Sequence, residues 1–373
     1  MPERSKVFIR RCGYGGAGPV VAELLALSGI GFAGRKVLCK PNIITGKEPG
    51  SAATTHPAII SAVVGHLLSA GADVTVGDNP GVSGYGASNA AAKKTGIQAA
   101  SMGRWRNISL EFRRVETGGV SPHGFNVSTA VLDTELLINL PKLKTHSLTT
   151  YTGAVKNMFG VLVGSDKAMT HASAVTVGRF SSALVDVFSI RPPDLSIMDA
   201  VLAMEGNGPT SGTPRAVGLM GMSTDPVALD AVFARLIGLD PRRIDHLRIA
   251  ADRGFGRLGA GEIEVDGALP EIKRFTLPLS RRSDTIGWLG TSLVNGLVFP
   301  FISRKAGLRL KRDKCTKCGI CLRACPTGAM KPGKDGFPEI GKPACISCYC
   351  CHELCAEGAW KMSGVMSIVN RSG

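Results

Sequence analysis

Aromatic side chains are scarce in this chain, with 3 Trp, 4 Tyr and 13 Phe among 373 residues. So few stacking surfaces argue against a platform for single-stranded nucleic acid, and no specific nucleic-acid-binding motif is present. Acidic residues are also in deficit, 29 against 44 Lys and Arg, for a formal net charge of +15. A surface this basic favours an anionic partner such as a carboxylate or phosphate substrate, an acidic redox protein, an anionic membrane face or nucleic acid. Long apolar runs are missing, with one exception. Arg10-Arg11 is only a faint match to a twin-arginine leader, because Lys6-Val7-Phe8-Ile9 already reads as a β-strand and Glu23 interrupts the stretch that follows. The exception is Thr285 to Ile302, flanked by Arg281, Arg282, Arg304 and Lys305. At about 18 residues it meets the lower limit for a membrane span. It also holds Asn295, Pro300 and several glycines, so a packed helix or a membrane-surface anchor is expected instead.

Cysteine, by contrast, is abundant, and eight of the 11 fall in two runs near the C-terminus. Cys315, Cys318, Cys321 and Cys325 form the first run. Cys345, Cys348, Cys351 and Cys355 repeat its C-x-x-C-x-x-C-x-x-x-C spacing 30 residues later. Three closely spaced thiolates wrap three irons of a cubane from one tight turn, and the fourth must come from elsewhere. Exchanging the fourth cysteine between runs gives one cluster held by Cys315, Cys318, Cys321 and Cys355. The other is then held by Cys345, Cys348, Cys351 and Cys325. A zinc ribbon needs four ligands rather than eight, and a disulfide framework suits a small secreted chain. Two [4Fe–4S] clusters in a cytoplasmic, reducing setting are the expectation. The pattern resembles bacterial-type ferredoxins over residues 308–363. Ala356 stands where that family has a second proline after the run, and Cys350 breaks the repeat and is read as a spare.

The first 270 residues or so alternate short β-branched runs with helical stretches. Strands are expected at Lys36–Cys39, Ala72–Val76, Leu136–Asn139, Leu195–Met198 and Val217–Met220, and helices at Pro19–Ser28, Pro57–Ala70, Ala87–Thr95 and Pro226–Ile237. Asp225 is a suitable N-cap before Pro226, and Gly71 a suitable helix end. Apolar strands without alternation, interleaved with helices, indicate an α/β fold with a mostly parallel, doubly wound sheet buried on both faces. The expected organisation is an α/β domain at 1–272, a connector with an apolar helix at 273–307 and a small α+β ferredoxin-like dicluster domain at 308–373.

In such sheets ligands bind outside the carboxyl ends of the strands. There the chain places Lys40-Pro41-Asn42, Asp78-Asn79, and Asn139 through Lys142, Lys144 and His146, followed by Lys156-Asn157, His171 and Asp199. Turns explain Asp78 and Asn79 but not the lysines. Lys40, Lys142 and Lys144 are therefore candidates for holding an anionic small molecule, with His146 or His171 moving a proton. Gly13-Tyr14-Gly15-Gly16-Ala17-Gly18 matches a dinucleotide glycine pattern. The acidic residue that should end the second strand is Lys40, so a plain glycine turn is expected, and no flavin motif is found. Cys12 and Cys39 read as small buried residues.

Five blocks in order resemble the family called domain of unknown function 362, over residues 5–270. They are Lys40-Pro41-Asn42, Asn139 to His146, Gly153-Ala154-Val155-Lys156-Asn157, Glu205-Gly206-Asn207-Gly208 and Asp225-Pro226-Val227-Ala228-Leu229-Asp230. That domain is often fused to ferredoxin modules. The resemblance implies an iron–sulfur protein and no catalytic residue. Arg304, Lys305, Arg309, Lys311, Arg312, Lys314 and Lys317 lead into the first cysteine run, a surface suited to an acidic carrier such as ferredoxin or flavodoxin. The reading is an iron–sulfur oxidoreductase passing electrons to an anionic small molecule. The alternatives are a non-enzymatic electron carrier or complex subunit, and a cluster-based sensor or assembly factor.

Overall fold

The computed structural model describes residues 4–80, 87–119, 124–164, 166–174, 176–272, 274–278, 307–325, 327–341, 344–345, 350–355 and 357–363. Most of the expected connector, including Thr285 to Ile302, lies outside the described residues. Among those described, no helix is long and apolar enough to cross a membrane.

The N-terminal body contains β1 (Ser5–Arg11), β2 (Lys36–Pro41), β3 (Asp73–Val76), β4 (Phe112–Glu116), β5 (Gly124–Ser128) and β6 (Leu136–Leu140). It continues with β7 (Lys142–His146), β8 (Thr150–Thr152), β9 (Leu195–Glu205), β10 (Thr213–Ser223) and β11 (Ile263–Asp266). The main sheet runs β11-β1-β10-β9-β6-β2-β3, with β7 joined to β9 and β8 to β7, while β4 and β5 pair separately. Parallel pairs dominate, so the carboxyl ends of β1, β2, β3, β6 and β9 share one edge.

Alternation along the strands divides the core into two faces. Val37, Cys39, Ile138 and Ile197 pack with Val21, Leu24, Ile60 and Val64 of helices Ala17–Leu27 and Pro57–Ser69. Their neighbours Leu38, Leu137 and Met198 pack the other way, against Phe180, Leu184, Leu229 and Phe233 of helices Val177–Ile190 and Pro226–Leu236. Burial on both faces is why β2 and β6 read as unbroken apolar runs.

Three expectations need correction. The helix read from Pro19 begins at Ala17, with Pro19 inside the first turn, where no backbone N–H is required of it. The strand at Val217–Met220 is not a parallel one: β10 runs antiparallel to both β9 and β1. It returns from β9 through the short segment 206–212, and a connection that short joins only antiparallel strands. Lys142–His146, placed at the carboxyl end of the preceding strand, is a strand of its own, β7, paired in parallel with β9.

Asp225 and Asp230 show how the sequence secures these elements. Asp225 Oδ1 accepts from Ala228 N (2.9 Å), the expected cap, while its Oδ2 accepts from Ser5 Oγ (2.6 Å) and Arg257 N (2.8 Å). Fully buried Asp230 accepts from Ala154 N (2.6 Å), Val155 N (3.0 Å) and Tyr151 Oη (3.3 Å), and so fixes the start of helix Ala154–Asn157. Gly153 is needed there, because a Cβ would sit 2.0 Å from Asp230 Oδ1.

Burial pushes the Asp230 carboxyl up to about 7. A raised folded-state value contributes stability that is complete below the ordinary carboxyl pKa and lost as pH rises through about 7. Asp230→Asn offers one acceptor oxygen for two backbone donors. Denaturant unfolding is expected to show a loss of about 1–3 kcal/mol and a flatter dependence on pH between 4 and 7 than the parent protein. An unchanged midpoint and slope would show that Asp230 does not hold this turn.

Candidate functional site

The strand ends form a polar layer in which each lysine singled out by sequence already has a partner. Lys40 Nζ lies 2.7 Å from Asp78 Oδ1, with side-chain exposures of 0% and 2%, and Asp78 Oδ2 accepts from Ile43 N (2.7 Å). Lys142 Nζ lies 2.8 Å from Asp199 Oδ2 and donates to Tyr14 Oη (2.9 Å). Lys144 Nζ donates to Asn42 Oδ1 (2.6 Å) and Ala53 O (2.7 Å). Burial pulls the Lys40 and Lys142 ammonium groups below their ordinary pKa, and Asp78 and Asp199 oppose that pull. Gly160 closes over the first pair, where a Cβ would lie 2.6 Å from both Asp78 Oδ1 and Lys40 Nζ.

Asparagines extend this layer into a chain. Asn42 Nδ2 donates to Asn157 Oδ1 (2.7 Å), Asn157 Nδ2 to Asn139 Oδ1 (2.7 Å), and Asn139 Nδ2 to Ala154 O (3.0 Å). The sequence blocks around Lys40, Asn139, Gly153 and Asp225 thus meet in one buried network, with most donors and acceptors satisfied by each other. Tyr14, from the glycine-rich segment, joins it through Asp199 Oδ1 (3.3 Å) and Leu202 N (3.2 Å) and stacks on His56 at 3.6 Å. These bonds make the glycine-rich turn a tyrosine-anchored bend.

A cavity of about 100 Å³ opens beside this network. Of the catalytic candidates named from sequence, His146 lines it, whereas Lys40, Lys142 and Lys144 do not. His171, Lys156, Asn42 and Asn157 also line it, as do Thr152 and Lys167, which the sequence reading missed. Lys156 Nζ lies 5.8 Å from the Phe180 ring centroid and 6.0 Å from that of Phe159. His146 Nδ1 accepts from Leu148 N (3.1 Å) and Thr149 N (3.2 Å), so its neutral ring carries the proton on Nε2.

Both histidines are uncharged near neutrality. Burial, then Lys156, holds His146 well below its ordinary pKa and His171 down at about 3. Of the cavity's own side chains, Lys167 is pushed down to about 7 by burial and Lys40 against the pull of Asp78. Lys167 Nζ donates to Asn79 O. No motif marked Lys167; it reaches the cavity from helix Asp166–Ser173, distant in sequence from the strand ends.

The last wall comes from the cysteine-bearing module through Cys350 and Leu354. Cys350 and Leu354 pack with Ala324 and Ile44, and Thr210 Oγ1 donates to His352 O (3.4 Å) across the junction. Within the module, β12 (Gly307–Leu310) pairs antiparallel with β15 (Trp360–Ser363), and a second ladder joins β13 (Met330–Pro332) to β14 (Pro338–Ile340). The Leu310–Trp360 register brings the residues just before the first cysteine run against those just after the second.

That ladder delivers Cys355 to the first run. The Cys321 thiol is pushed up by burial, with Cys318, Cys355 and Cys315 each adding negative charge, while a hydrogen bond to Trp360 lowers it. Ala359 N donates to Cys355 Sγ (3.2 Å). Four sulfurs brought together in this way, with N–H donors on Cys321 and Cys355, fit a thiolate-ligated iron cluster. Among the described residues no group of His, Cys, Asp and Glu is arranged to hold a single metal ion. Of the second set, Cys345, Cys351 and Cys325 are described, and Cys348 lies outside the described residues.

Comparison with known proteins agrees with this division. The family described as Domain of unknown function (DUF362) matches residues 37–235, and the 4Fe-4S binding domain matches 309–331. The Thylakoid-associated protein sll1697 of Synechocystis sp. is 38% identical over 270 residues, covering 67% of this chain and 82% of that protein. The Probable anaerobic dimethyl sulfoxide reductase chain YnfG of Escherichia coli strain K12 is 40% identical over 47 residues, covering 12% of this sequence and 23% of that one. Among solved structures, the lactate racemase apoprotein of Thermoanaerobacterium thermosaccharolyticum aligns over 61% of this chain and 58% of its own, with TM-score 0.37 and 10% identity. This protein therefore belongs to the DUF362 family and is an iron–sulfur protein with a C-terminal 4Fe-4S binding domain.

Proposed function

We propose that this protein is an iron–sulfur oxidoreductase in which two [4Fe–4S] clusters, held by the eight cysteines, supply electrons singly to a small anion bound in the strand-end cavity. One observation carries the reading: Cys350 and Leu354, neighbours of the ligands Cys351 and Cys355, form a wall of a cavity whose other walls carry Lys156 and Lys167. The electron-transfer module and the binding pocket share side chains. Lys156 and Lys167 attract the anion, Asn42 and Asn157 orient it, and Lys167 is the group able to release a proton near pH 7. Oxygen-sensitive cluster chemistry supports a cytoplasmic setting.

Electrons would enter through the exposed basic segment that carries the first cysteine run. Cys318 is exposed there, with Arg309, Arg312, Lys314 and Lys317 exposed nearby in sequence. Such a rim suits an acidic ferredoxin or flavodoxin and acts on encounter rate more than on final affinity. A second reading, a subunit passing electrons within a larger redox complex, is favoured by the module's similarity to the dimethyl sulfoxide reductase component. It needs the same rim but no ligand in the cavity.

Two measurements test this. Anaerobically purified protein is expected to hold about eight iron and eight sulfide per polypeptide. Cys355→Ser is expected to cut that by about half while sparing the electron paramagnetic resonance signal of the other cluster. About four iron in the parent protein would rule out the second cluster. In stopped-flow reduction by an acidic flavodoxin, Arg309→Glu with Lys314→Glu is expected to slow the second-order rate about tenfold or more at low ionic strength. The difference should disappear at high salt. Equal rates at low salt would remove the docking role of this rim.

A further inference from the structure

We infer that the cavity is a binding site for a compact monocarboxylate, its carboxylate held by Lys167 and Thr152 and its short hydrocarbon part lying against Ile43, Phe159 and Leu354. This rests on the proposal that the cavity is the ligand site, and it specifies the ligand.

The first observation is charge. Two lysines line the cavity, and among the described residues no Asp or Glu lines it. Lys40, which does not line the cavity, is already matched by Asp78 at 2.7 Å. The side chains that line the cavity thus include two cationic groups and no described carboxylate, a lining that suits an anion.

The second observation is unmet hydrogen bonding. Thr152 is 3% exposed and His171 7%, yet among the described residues Thr152 Oγ1 and His171 Nδ1 have no hydrogen-bond partner. Both residues line the cavity. Buried polar atoms left this way are costly unless a ligand or ordered solvent meets them. A carboxylate offers two acceptor oxygens, enough for the threonine hydroxyl and the lysine ammonium together.

Size and polarity narrow the class further. A volume of about 100 Å³ equals about three liquid waters. That space suits a compact anion such as acetate or propionate. Ile43, Phe159 and Leu354 add apolar lining that phosphate or sulfate cannot use.

Lys167 sets the pH response. Its neighbours are Asp78 beyond β3, Lys40 on β2, and the cavity residues Lys156, His146 and His171, the two imidazoles being held neutral. With its ordinary value brought down to about 7, Lys167 is charged below neutrality and loses its charge above it. Affinity for a carboxylate falls accordingly as pH rises.

Equilibrium dialysis of the anaerobically purified holoprotein against radiolabelled propionate tests this. The expected result is one propionate per polypeptide at pH 6, bound about tenfold more weakly at pH 8. Lys167→Arg, which stays charged throughout, should bind with little change between the two pH values. Lys167→Met should abolish binding, and Thr152→Val should weaken it severalfold, each judged in variants whose iron content and circular dichroism match the parent. Should Lys167→Met fail to fold, Lys167→Arg and Thr152→Val decide the matter. No saturable binding at pH 6, unchanged affinity in Thr152→Val, a parent pH dependence retained by Lys167→Arg, or displacement by phosphate as effective as by acetate would each overturn the inference. Propionate binding without reoxidation of the reduced clusters would leave this site standing and count against the oxidoreductase reading. Cluster reoxidation by another small molecule, with no propionate bound, would do the reverse.

Discussion

A buried ammonium group is tolerated only with a partner, and the carboxyl edge of this sheet buries three of them. The penalty for leaving such a charge unpaired is several kcal/mol even after relaxation. Lys40, Lys142 and Lys144 are each 0% exposed. Their partners come from different parts of the sequence: Asp78 from beyond β3, Asp199 from β9, and Asn42 with Ala53 from the segment after β2. Pairing these charges therefore fixes how the segments at the sheet edge lie against one another. The register of β7 on β9 follows directly, since Lys142 stands opposite Asp199 in the ladder.

The same constraint divides the lysines by task. Those matched deep in the polar layer build the edge, and those that reach the cavity wall, Lys156 and Lys167, give the cavity its positive field. Asp230 connects the two sets. By holding the N–H groups of Ala154 and Val155, it orients the short helix that presents Asn157 to the asparagine chain and Lys156 to the cavity. Architecture and site are thus positioned by one network, which gives a physical role to sequence blocks that carry no catalytic signature.

Much of this was legible in the sequence, for reasons particular to each element. The apolar runs at Val37–Cys39 and Leu136–Ile138 announced strands covered on both faces, and they are. The cap at Asp225 was readable because an aspartate before a proline has few other uses there. The role of Lys40 was not readable, since a lysine at a strand end looks the same whether it faces a ligand or an aspartate 38 positions away. β7 was hidden by its polarity: Lys142, Lys144 and His146 alternate as a strand demands, but their buried partners replace the apolar residues that usually mark one. Lys167 and Thr152 were invisible because only tertiary packing brings them to the strand ends.

The cysteine module and the cavity are coupled by the same packing. Pairing of β12 with β15 closes the module and carries Cys355 to Cys315, Cys318 and Cys321. Helix Cys350–Glu353 lies in the segment that makes this return, and its Cys350, together with Leu354, packs on Ala324 inside the module and on Ile44 outside it. The cavity wall is complete only when that helix is in place. Metal ligation is folding free energy for a small module of this kind, and whatever binds only the native arrangement stabilises it by mass action. Cluster assembly and the proposed ligand binding would consequently draw on a single folded surface, and each is expected to strengthen the other without any change in the α/β sheet itself.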